Sequence, residues 1–121
     1  MEYKFYIHTN KTFNWNYIRV SFKDNKYRIL ENILFSDDWT PQKIQSIITG
    51  IEESKTKEKG EEYKWANEDV RLYANKNGVF LIDDLAARGG EKNPDNLYLR
   101  LTHEEILTFL NDFKKFVEEN S

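Results

Sequence analysis

The stretch that most constrains this chain is its last amphipathic segment, Thr102 to about Glu119, THEEILTFLNDFKKFVEE. Thr102 stands where an N-cap belongs and Glu105 follows three residues later. Hydroxyl and carboxylate can therefore each satisfy one free backbone N–H of the first turn. Leu101 and Ile106 occupy the positions of a hydrophobic staple across the cap. Ile106, Phe109, Leu110, Phe113, Phe116 and Val117 recur at steps of three and four, drawing one broad apolar stripe. Glu104 and Glu105 sit at the positive end of the helix dipole, and Lys114 and Lys115 nearer the negative end. A stripe with three phenylalanines has to be covered, and the remaining chain offers mainly strands to cover it.

Most of those strands announce themselves by alternation. Tyr3, Phe5 and Ile7 alternate with Lys4, Tyr6 and His8. Ile18, Val20 and Phe22 alternate with Arg19, Ser21 and Lys23. Asp24-Asn25 reads as a tight turn, with Tyr27 and Ile29 on a return strand. Thr40-Pro41 then opens a helix, threonine as cap and proline at the first helical position. Ile44, Ile47, Ile48 and Ile51 give its apolar face, and Gly50 within it marks close packing. Past Glu53, the charged SKTKEKGEE run reads as a frayed end and linker.

The second half begins with a strand at Tyr63 and Trp65 and a turn at Asn67-Glu68-Asp69. A second strand carries Val70, Leu72 and Ala74, and Asn77-Gly78 is the pair favoured for a type I′ hairpin turn. Val79 to Ile82 reads as a strand buried on both faces, and Asp83 to Asn96 as a long polar loop. Leu97, Leu99 and Leu101 form a last strand running into the final helix. The expected architecture is a single α+β domain over residues 1–121, strands–helix–strands–helix.

Composition excludes several chemistries. There is no cysteine, so neither a disulfide framework nor a thiolate metal site can form. His8 and His103 are far apart, and each reads as an exposed histidine without a catalytic role. No phosphate-binding glycine motif and no nucleophile elbow occurs. The N-terminus lacks a signal-peptide core and no run approaches membrane-spanning length, so a cytoplasmic protein without a cofactor is the expectation. The net charge of −3 conceals an asymmetry. Residues 1–35 carry Lys4, Lys11, Arg19, Lys23, Lys26 and Arg28 against Glu2, Asp24 and Glu31, giving +3 and leaving −6 for the remainder. Five of these, Lys4, Arg19, Lys23, Lys26 and Arg28, read as one basic strand face that, with Tyr6, Phe13, Trp15 and Tyr17 nearby, would suit single-stranded nucleic acid. The acidic total and the absence of an RNA-binding signature make that the less favoured class.

Gly60-Glu61-Glu62-Tyr63 and Val70-Arg71-Leu72-Tyr73-Ala74-Asn75, followed by the phenylalanine-rich helix ending Phe116-Val117, resemble the small bacterial YacL-like proteins over roughly the C-terminal half. With its Asn-, Lys- and Ile-rich composition, the whole chain resembles the immunity proteins of contact-dependent growth inhibition, the CdiI type encoded beside a CdiA toxin of the EndoU-nuclease type. That resemblance implies a Whirly-like fold, four strands and a helix twice over, although the Whirly Lys-Gly-Lys-Ala strand motif is absent. It also implies a non-enzymatic inhibitor whose partner is the CdiA C-terminal toxin domain, with a single-stranded nucleic-acid-binding regulator as the alternative. A nuclease must present cations to phosphate, so the expected toxin-binding side chains are acidic. They are Asp37, Asp38, Glu68, Asp69, Asp83, Asp84, Glu91 and Asp95.

Overall fold

A computed structural model describes residues 1–34 and 38–120 of the α+β chain. Strands β1 (Tyr3–Asn10) and β2 (Trp15–Phe22) pair antiparallel into a hairpin, Tyr3 opposite Phe22 and Asn10 opposite Trp15. The polar stretch between them is its turn, closed by Asn14 at φ 56°, a left-handed backbone that asparagine tolerates.

The expected return strand at Tyr27 and Ile29 is a helix instead. Asp24 accepts the Lys26 N–H and caps a 3-10 turn over Asn25–Tyr27, which leads into α1 (Arg28–Ile33). Tyr27, Leu30, Ile33 and Leu34 are all buried, and their steps of three, three and one trace one side of a helix. Ile29 is buried as well, so the two-residue alternation was a fragment of a wider helical face.

Helix α2 (Pro41–Ser54) follows the sequence closely. Thr40 accepts the Lys43 N–H at 3.1 Å, Pro41 is the first helical residue, and Ile44, Ile47, Ile48 and Ile51 are buried. Strands β3 (Tyr63–Ala66), β4 (Val70–Asn75), β5 (Gly78–Asp83) and β6 (Tyr98–Leu101) form an antiparallel sheet in that order. Its inner face carries Val70, Leu72, Ala74, Val79, Leu81 and Leu101. Three expectations change here. The β4–β5 turn centres on Lys76-Asn77, and Gly78 supplies the positive φ one position later, at 129°. Strand β5 is fully buried on one face only, since Phe80 and Ile82 are half-exposed. The supposed long loop contains two short helices, α3 (Asp84–Arg88) and α4 (Pro94–Leu97), each with a side-chain cap, Asp83 and Asn93.

Helix α5 (His103–Glu119) forms the predicted capping box, Thr102 Oγ1 accepting from Glu105 N–H and Glu105 from Thr102 N–H. Its stripe packs against α2, and its central rings meet the hairpin. Phe5 stacks on Phe113 with ring centroids 5.5 Å apart and also lies against Phe109 and Phe116. The Tyr3 hydroxyl donates to Asp112, which fixes the root of the hairpin to this helix. Helix and strands thus share the task of covering the stripe. The order strands–helix–strands–helix holds at coarse scale, but among the described residues the first half supplies two strands, where a Whirly plan has four. No helix among the described residues is long and apolar enough to cross a membrane.

Candidate functional site

The acidic candidates do not share one environment. Asp37 lies outside the described residues. Asp38 is exposed, and its backbone carbonyl accepts from Lys43 Nζ at 3.3 Å. Glu68 is exposed too, its carbonyl accepting from Arg88. Asp69 is buried and ion-paired to Arg88 at 2.8 Å, and Asp84 binds Arg71 through two hydrogen bonds of 2.8 and 3.0 Å. These two carboxylates hold α3 to the β3–β4 turn and to β4, and are not presented to solvent as free anions.

Asp83, Glu91 and Asp95 converge. A cleft of about 500 Å³ opens between α1 and the α3–α4 segment, lined by these three with Lys26, Arg28 and Asn32 among others. Its innermost carboxylate is Asp83, only 3% exposed. One Asp83 oxygen accepts the Asn32 amide at 2.8 Å and the other the Ala86 N–H at 2.8 Å, capping α3. Burial of Asn32 and Asp83 is tolerable because each satisfies the other. Glu91 sits nearer the mouth. The Asn93 N–H, followed by the Asn96 amide, the Lys92 N–H and the Arg28 charge, holds its carboxyl below the ordinary glutamate value. Asp95 is exposed on α4. Three carboxylates against two cations make a cleft suited to receive a cationic side chain, with Glu91 and Asp95 accessible and Asp83 as a fixed acceptor below.

The basic face divides as well. Lys4 and Arg19 lie on one face of the hairpin with Tyr6, His8, Trp15 and Tyr17. Lys26 and Arg28 belong to the 3-10 turn and α1, on the cleft, and Lys23 pairs with Glu2 at 3.5 Å. The five cations expected on one face are separated by the fold into three places, the hairpin face, the cleft and the Lys23–Glu2 pair. His8 is exposed as expected, whereas His103 is half-buried at the start of α5. Among the described residues no cluster of His, Asp or Glu is placed to hold a metal ion. Asn32 escaped the sequence reading. Its signal was a polar residue inside the apolar run Ile29-Leu30 to Ile33-Leu34, legible only once that run is a helix.

No protein-family model, curated protein or solved structure matches this chain.

Proposed function

We propose that this chain is a cytoplasmic immunity protein of contact-dependent growth inhibition, which binds and neutralises the nuclease domain at the C-terminus of a CdiA toxin, of EndoU type. It acts by occlusion, without catalysis and without a cofactor. The observation that carries the reading is the convergence of Asp83, Glu91 and Asp95 on one cleft. A nuclease holds RNA with cationic side chains, and a lysine or arginine from such a surface finds accessible carboxylates and a rigid wall here. Electrostatic steering makes association fast and salt-dependent, while contacts buried in the cleft set the dissociation rate.

The test is titration of the toxin domain encoded beside this gene. Its RNA cleavage should fall stoichiometrically as this protein is added. The double reversal Glu91→Lys with Asp95→Lys should slow association and weaken inhibition. Because Glu91 also accepts the Asn93 N–H and the Asn96 amide, Asp95→Lys alone, at an exposed position, should do so to a smaller extent while leaving the thermal melt unchanged. Undiminished inhibition by the double reversal would remove the cleft from the interface. Failure of the adjacent toxin domain to bind at all would overturn the immunity reading.

A further inference from the structure

We infer that the outer face of the β1–β2 hairpin is a binding site for single-stranded nucleic acid, separate from the cleft. The hairpin is an arm. At its root, Tyr3, Phe5, Val20 and Phe22 turn inward to the core, but Ile7 is 44% exposed on that same face, so the distal half stands clear of the body. Eight residues of strand span about 26 Å at roughly 3.3 Å each.

The opposite face carries an ordered series. Phe13 and Trp15 ring centroids are 5.6 Å apart at an interplanar angle of 32°, Trp15 and Tyr17 are 6.3 Å apart, and the Arg19 guanidinium lies 4.8 Å from the Tyr17 centroid. Tyr6 stands across from Arg19 in the register. Phe13 is 63% exposed and Trp15 58%, an outlay of apolar surface that folding does not explain. Arg19 is held in position by donating to the carbonyls of Ile18 and Leu34, at 3.1 and 3.4 Å.

Charge selects the occupant. Residues 3–22 contain Lys4, Lys11 and Arg19 and not one acidic residue, within a chain of net charge −3. A cationic nuclease is repelled by this arm, and so is a second copy of the arm itself. A polyanion is attracted. Planar rings in series add a surface on which bases stack whatever their identity, provided the strand is single, because a duplex hides its base faces. Whole-chain charge conceals this, since the acids lie on other elements.

Fluorescence anisotropy of the full chain with labelled oligouridine, oligodeoxythymidine and a duplex of equal length tests the site without any toxin present. At about 50 mM salt the single strands should bind in the micromolar range and the duplex at least about tenfold more weakly, with a log–log salt slope near about −2 for three cations. Trp15→Ala and Phe13→Ala should each weaken single-strand binding about fivefold or more with no change in melting temperature. Lys4→Glu with Lys11→Glu should also weaken it. No binding by the unmutated chain overturns the inference, as does equal affinity for duplex or full affinity in Trp15→Ala. Concentration-dependent self-association lost in Trp15→Ala, without oligonucleotide binding, would assign the arm to a second copy and likewise overturn it.

Discussion

Replacing Gly50 with alanine sets two effects of opposite sign against each other. In an α-helix interior, alanine is favoured over glycine by about 1 kcal/mol. Against that, a Cβ built on Gly50 would lie 2.3 Å from Cε1 and Cζ of Tyr63 and 2.6 Å from Cδ1. Tyr63 cannot simply swing away, because it is half-buried on the inner face of β3, opposite Ala74. Overpacking of this kind costs about 1–3 kcal/mol, so the net expectation is a loss of about 1 kcal/mol. For a domain of this size that lowers the melting temperature by roughly 3–5 °C. Urea melts followed by circular dichroism would measure it. In a Tyr63→Ala background the ring is gone and only propensity remains, so the same substitution should stabilise by about 0.5–1 kcal/mol. The change of sign is a coupling of roughly 2 kcal/mol between Gly50 and Tyr63. Stabilisation by Gly50→Ala in the unmutated background, or the same sign in both, would refute the close-contact argument.

Phe113→Ala removes a fully buried ring that touches Phe5, Trp39 and Phe109, and denaturant melts should show a loss of about 3–5 kcal/mol. Asp83→Ala deletes the cap of α3 and strips the buried Asn32 amide of its acceptor; equilibrium unfolding should report a loss of about 2–4 kcal/mol. Burial, then the hydrogen bond to Asp112, raises the Tyr3 hydroxyl pKa above its ordinary value. That contribution is complete below the unfolded value near 10 and is lost as pH rises through the folded one, so above about pH 10 the unmutated protein should lose stability more steeply than Tyr3→Phe.

The elements read correctly from the sequence carry redundant signals. Helix α5 has cap, staple, dipole and stripe in agreement, and α2 has Thr40-Pro41 ahead of four isoleucines at helical spacing. Helix α1 has one signal only, and a window stopping at Ile29 sees alternation where a window reaching Leu34 sees a helical face. The α3–α4 segment was hidden for a different reason. Asn93-Pro94 repeats the cap-and-proline pattern of Thr40-Pro41, but a four-residue helix has no room for an apolar stripe. The candidate carboxylates were legible as acids near turns. Their fates were not, because whether Asp69 meets Arg88 or Asp83 meets Asn32 depends on contacts 19 and 51 residues apart.

The hydrogen bond from Tyr3 to Asp112 joins positions 109 residues apart. A ribosome adding roughly 5–20 residues per second delivers the hairpin about 5–20 s before the helix that covers its inner rings. Until then Tyr3 and Phe5 lack the rings of Phe109 and Phe113 that cover them, and the two-stranded ribbon, marginally stable in water by itself, has little beyond the Phe22–Tyr27 contact to hold its root. Completion of the core must therefore wait for α5 to emerge, and the arm's root closes only then even though the arm is made first. Nascent chains halted before α5 should bind ribosome-associated chaperones through the same rings that later line the core.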